Sequence, residues 1–423
     1  MIQHLRCAAM VAFRNCEEQS DEAISLLIVR GTTRSPRHPS ISSGLLAMTV
    51  WAHYKFLSQR YSIAEFFGNI SSNSTMSNST IRSRFEDALA GRPVTQPVYA
   101  VYDWFVNNRP AVDWERLFEL GLGQINHANL IRHEHPNFEI VETTSEQDGE
   151  TRRDVRLVTD RGELHEWYLG EWRQEHFIKT AEDYRIMARA LEDVRVIPDA
   201  PAFHKSEAAL GDKGITVGQI QGLGMGRTSL MVLQIDWVGL ERFSIDLAME
   251  LSEMMELLEL MNEIKLEEIR RAAETPATQI KLWENLSIET LGPAHYRRRL
   301  TPIYKQILDI LDAAGKRLLV HYDGKLRPVA EDIAALDIDG IDSFTEPPEG
   351  DMTAAEARAA WPDKFLWLHP NLHAYRLPED RFAEKIAQFA REAGPSRFCL
   401  MISEEIPPEW ETKVPLALQT LER

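Results

Sequence analysis

Apolar positions in this chain follow two alternating periods, and the change from one to the other predicts its elements. From Gln279 onward, short runs rich in branched and aromatic residues read as strands: Gln279–Leu282, Arg317–His321, Gly340–Thr345, Phe365–His369 and Phe398–Ile402. Between them, stretches with apolar residues three and four apart predict helices at Tyr296–Ala314, Arg327–Leu336, Thr353–Trp361 and Glu379–Ala393. This is the rhythm of a parallel sheet wrapped by helices, and both an open doubly wound sheet and a closed barrel fit it.

Upstream, the helix Ile81–Ala90 carries Phe85 and Leu89 on one face, and Pro97–Phe105 reads as a first strand ending in polar Asp103. From Phe138 to Trp167, apolar and polar residues alternate around Asp148-Gly149 and Arg161-Gly162, which predicts a small antiparallel insertion. Ile245–Arg271 reads as one long amphipathic helix whose methionines, Met249 and Met255 among them, fill the core.

Charge divides the chain. Residues 1–75 carry roughly +2 against roughly −20 for the remainder, and the polar run Gly68–Thr80 buries too little apolar surface to order itself. We therefore read residues 1–75 as an N-terminal extension and linker, 76–423 as one domain, and Met76 as the native start. The net charge of −18 repels phosphate backbones, so nucleic acid is not an expected partner. No apolar stretch reaches the length of a membrane span, and Cys7, Cys16 and Cys399 are too scattered for a disulfide framework. A cytoplasmic protein is expected.

Candidate chemistry gathers where strands end. Glu284 and Asn285 follow one strand, His321 and Asp323 the next, and Glu346 the one after. In parallel α/β architectures, polar residues at these ends line the site. An imidazole two residues from a carboxylate suits a divalent metal or a proton-transfer pair. Asp103 and Tyr102 would face this rim from the first strand, with His369 and His373 in reserve. The Gly222–Ser229 loop lacks phosphate-binding spacing and reads as a strand-to-helix connection, and His133-Glu134-His135 reads as a solvated turn.

The pattern His321-Tyr-Asp-Gly324, then a helix, then Gly340-Ile-Asp342, resembles the uroporphyrinogen decarboxylase superfamily, and its corrinoid-linked methyltransferase members more than the decarboxylase itself. The resemblance runs from about Ile81 to Leu421 and implies a (β/α)8 TIM barrel carrying the antiparallel insertion and the N-terminal extension. In those methyltransferases a His-x-Cys pair and a later Cys hold zinc. Here His321 matches the histidine, Asp323 stands at the first cysteine, and the later one would fall near Glu404. Glu346 resembles the glutamate ligand of cobalamin-independent methionine synthase.

The resemblance thus implies metal ligands His321, Asp323, Glu346 and Glu404. The metal would be divalent, zinc first, and bound without thiolate. It also implies catalytic roles for Asp103, Glu284, Asn285, His321 and Asp323, a small methylated substrate, a corrinoid partner protein and a homodimer. The decarboxylase branch needs a cationic pocket for its polycarboxylate, whereas this rim is acidic. A carboxy-lyase using His321 and Asp323 without metal, and a non-catalytic binding barrel, are the alternatives.

Overall fold

In the computed structural model, described here for residues 79–94, 96–222, 224, 226–402 and 410–422, the apolar runs pair as parallel strands. The N-terminal extension, the linker with Met76, and Glu404 lie outside the described residues. The strands in chain order are β1 (Tyr99–Tyr102), β2 (Gly123–Asn129), β3 (Ile131–Glu134), β4 (Phe138–Gln147), β5 (Glu150–Thr159), β6 (Gly162–Leu169) and β7 (Trp172–Glu175). They continue with β8 (Arg195–Pro198), β9 (Gly214–Gln219), β10 (Gln279–Leu282), β11 (Arg317–His321), β12 (Gly340–Thr345), β13 (Phe365–His369) and β14 (Phe398–Met401).

Eight of these strands close a parallel barrel in the order β1-β14-β13-β12-β11-β10-β9-β2. This is the TIM-barrel architecture, and the open-sheet alternative falls. The antiparallel insertion is a four-stranded sheet, β4-β5-β6-β7, and extends past the expected Trp167 to Glu175. Among the described residues no helix is long and apolar enough to cross a membrane.

The barrel interior is packed in layers, as alternation along each strand requires. Ala100, Ile125, Val217, Leu319, Trp367 and Cys399 fill the lower part, and the helix Ile81–Leu89 presses Phe85, Ala88 and Leu89 against them from below. Cys399 is therefore a core residue. Above this apolar plug the inward positions turn polar: His127 on β2, Gln219 on β9, Lys281 on β10, His321 on β11, Asp342 on β12 and His369 on β13. A β-bulge between Ile341 and Phe344, with Ser343 at φ 62°, breaks the alternation of β12. Asp342 is thereby held in the network described below, while Phe344 packs on Trp361.

Two expectations are corrected here. The first strand stops at Tyr102, and Asp103 opens the short helix Asp103–Asn108, where a carboxylate suits the exposed N–H groups of a first turn. The long run from Ile245 is two helices, Leu240–Ala248 and Ser252–Ala273, separated at Glu250 with φ 49°. Met249, read as core, lies at this break and is 72% exposed.

Candidate active site

The polar layer closes around one buried carboxylate. Asp342, fully buried, accepts from Lys281 Nζ at 2.9 Å and from His321 Nδ1 at 2.8 Å on one oxygen, and from the Tyr102 hydroxyl on the other. The Tyr102 hydroxyl also lies 3.2 Å from His369 Nε2. Burial disfavours the charge on Asp342, but the Lys281 ammonium and then His321 outweigh it and hold this carboxyl well below its ordinary range. Trp283 covers the pair, with Lys281 Nζ 3.6 Å from its ring centroid. Lys281 therefore shapes the site from beneath.

A second carboxylate–imidazole pair sits beside the first. Asp103 accepts from the His127 backbone N–H at 3.1 Å and from His127 Nδ1 at 2.8 Å. An ionised carboxylate only accepts, so Nδ1 carries the proton and Nε2 is bare. That Nε2 is buried and has no hydrogen-bond partner among the described residues. Burial, and then the Lys281 charge, push His127 down to about 4, so the ring is neutral at physiological pH. Burial pushes Asp103 the other way, but the hydrogen bonds from His127 prevail and its carboxyl stays below the ordinary value.

Both imidazoles open on one cavity of about 300 Å³ at the C-terminal mouth of the barrel, lined by Asp103, Trp104, His127, Gln219, Gln221, Arg227, Trp283, Asn285 and His321. The Trp283 ring lies between them, with centroids 4.9 Å from His127 and 5.1 Å from His321. Its indole N–H is fixed on Gln219 at 2.8 Å. Asp342 orients His321 through Nδ1, and His321 Nε2 lies 3.9 Å from Asp323 Oδ2, beyond hydrogen-bond reach. Asn285, at φ 47°, reaches both Asp323 and Arg227.

Of the residues singled out in the sequence, Asp103, Asn285 and His321 line this cavity, and Asp323 stands at its edge beside Asn285. Glu284 does not join them. It is fully buried and accepts from the Thr228 backbone N–H and hydroxyl, so it clamps the chain next to Arg227. Burial pushes its carboxyl up against the effect of Thr228. Glu346 is also engaged elsewhere, accepting from Lys385 Nζ at 2.6 Å and from the Ala354 N–H at 2.9 Å at the start of the helix Ala354–Ala360. His373 is exposed.

Among the described residues, the metal set that the resemblance implies is not assembled. Among the described residues no group of three or more His, Cys, Asp and Glu converges in a way that could hold a metal ion. Glu346 is spent on Lys385 and Glu404 lies outside the described residues, which leaves His321, whose Nδ1 bond to Asp342 keeps Nε2 open, and Asp323 Oδ2 at 3.9 Å from it, two donors rather than three.

His127, Lys281, Asp342 and Trp283 were missed as site residues. Lys281 had a signal: a charge between Ile280 and Leu282 in an apolar strand must find a buried partner. Asp342 was in the quoted pattern but without a role. Its companion Gly324 is explained by packing, since a Cβ there would lie 2.3 Å from that of Ser287. His133, read as a solvated turn, is on β3 and bonds Glu268 at 2.8 Å with its side chain 6% exposed.

No protein-family profile matches the chain, and no curated protein matches it by sequence. Among solved structures it is similar to a methyltransferase from Methanosarcina mazei, with 16% identity over 81% of this chain and 98% of that one and a TM-score of 0.48. It is also similar to D-psicose 3-epimerase from Clostridium cellulolyticum H10, with 9% identity, coverage of 77% and 96%, and a TM-score of 0.33. A GH20 module of a pneumococcal exo-β-D-N-acetylglucosaminidase matches with 10% identity, coverage of 79% and 85%, and a TM-score of 0.35. At this distance such likenesses assign no activity.

Proposed function

We propose that this chain is an enzyme that transfers a methyl group between heteroatoms of small polar molecules, with its own imidazoles handling the protons. The observation that carries the reading is the pair of carboxylate-fixed imidazoles, His127–Asp103 and His321–Asp342, opening on one cavity at the barrel mouth. Methyl transfer is the reaction the superfamily resemblance implies. The histidine and the last aspartate of the pattern behind that resemblance touch each other at 2.8 Å.

In the proposed step, the acceptor heteroatom gives its proton to His321 Nε2 while it bonds the methyl carbon. The bond from that carbon to the donor heteroatom breaks, and its electron pair leaves with the donor. Asp342 keeps the His321 ring turned for this task. The bare Nε2 of His127 accepts a hydrogen bond and so orients the substrate, while Asn285 and Gln219 supply further polar contacts. Trp283 forms the floor and keeps water from Lys281. No step is routed through a metal, because the donor set is not assembled among the described residues.

The test is to incubate the purified chain, with a chelator present, with methylated corrinoid and with N- and O-methyl donors. Thiol and amine acceptors are added, and methylated product is read by mass spectrometry. His321→Gln should lower the rate by roughly 10²–10⁴-fold, the usual worth of a positioned acid–base group. Absence of transfer with every donor, or an equal rate in the variant, would overturn the reading. Release of CO2 from a carboxylated substrate would place the chain with the lyases instead.

A further inference from the structure

The charges around the cavity do not balance. Arg227 is held by Asp236 at 3.1 Å and by Asn285 at 3.3 Å, so its charge is already matched. Lys281 lies beneath Trp283, paired with Asp342. His127 is neutral, which leaves the Asp103 carboxylate with hydrogen-bond donors but no cation bonded to it among the described residues. Asp323 adds a second carboxylate at the edge, with its side chain 36% exposed. The walls are aromatic: Trp283 already accepts one ammonium on its ring, and Trp104, 38% exposed, stands at the lip next to Asp103. The His127 ring is among the residues that line the cavity, and its Nε2 is buried and has no hydrogen-bond partner among the described residues.

We infer that the cavity binds a protonated N-methylated amine, its N–H donated to His127 Nε2 and its charge set among Asp103, Asp323 and the indoles of Trp104 and Trp283. An excess of carboxylate attracts a cation, indole faces stabilise an alkylated one, and a bare imidazole nitrogen selects one that still carries a hydrogen. This rests on the proposed methyl transfer and names its donor. The C–N bond breaks with its electron pair on nitrogen, which leaves as the neutral amine. The acceptor takes the methyl group, and its proton goes to His321. Ammonium, protonated acceptor and neutral imidazole thus become amine, methylated acceptor and imidazolium.

The test is calorimetric binding without an acceptor, so that no turnover is involved. The probes are N,N-dimethylethanolammonium, its carbon isostere 3-methylbutan-1-ol, and choline, which lacks the N–H. The ammonium should bind about tenfold or more tightly than the alcohol and more tightly than choline. Trp104→Ala, at an exposed position that should not disturb folding, and Asp103→Asn should each weaken the ammonium about tenfold and leave the alcohol unchanged. Equal binding of the alcohol or choline, no binding of the ammonium, or unaltered ammonium binding in both variants would overturn the inference. Binding as described with no methyl transfer would instead remove the reaction assigned above and leave the ligand class standing.

Discussion

Lys281 and Asp342 are both fully buried, and neither would be tolerated alone in the interior of the barrel. Their pairing costs desolvation of two charges, offset by mutual attraction at 2.9 Å and by the added donors His321 and Tyr102. Lys281→Met should therefore destabilise the fold by roughly 3–5 kcal/mol, because it leaves the Asp342 carboxylate without its cation. The double variant with Asp342→Asn should recover part of that loss, as urea unfolding of the three proteins would reveal. Such pairs are only half legible in a sequence. A lysine within Gln279–Leu282 announces that a partner exists, but the partner lies 61 residues on, and only closure of the barrel brings it there. His127 was harder still, since a polar residue on an alternating strand looks the same whether it faces solvent or a cavity.

At the scale of elements, strands whose cores are apolar runs were readable and strands whose inner faces are functional were not. β10 to β14 fall at the expected places, whereas β2, with Gln124, Asn126 and His127 between its apolar positions, carries too little apolar signal. β9 opens on Gly214 and has Gly218 next to last, so only Ile215, Thr216 and Val217 carry a strand signal. Both flank the site: in β2 the polar residues that serve it erased the pattern, and in β9 the glycines interrupted it. The converse error concerns Glu346. A glutamate soon after a strand reads as a rim ligand, but its carboxylate serves the start of the next helix and Lys385. Glu346→Ala should cost about 1–2 kcal/mol of stability through the lost helix start and ion pair, with turnover kept. A metal ligand would instead lose activity, so thermal melting and the transfer assay on the same variant decide between the two roles.

For the molecule as a whole, the barrel gathers side chains from distant segments and removes them from water, and this sets the protonation states on which the reading depends. His127 is pushed down to about 4 and His369 to about 3, both chiefly by burial. An unfolded histidine titrates near 6.5, so between that value and the folded one the unfolded chain binds more protons. These rings therefore permit full stability above about pH 6.5 and withdraw it as the pH falls, by up to about 1.4 kcal/mol per pH unit for each ring. The fold thus forgoes acid stability to keep two unprotonated imidazoles beneath its mouth. The central claim, that Asp103 holds the Nδ1 proton of His127 and leaves its buried Nε2 bare, is tested most directly by nitrogen-15 NMR of the histidine rings through a pH titration, with a His127→Gln sample for assignment. The account predicts an Nδ1–H tautomer for His127 that persists without protonation until the pH nears 4. An Nε2–H tautomer, or protonation near the ordinary histidine value, would contradict it.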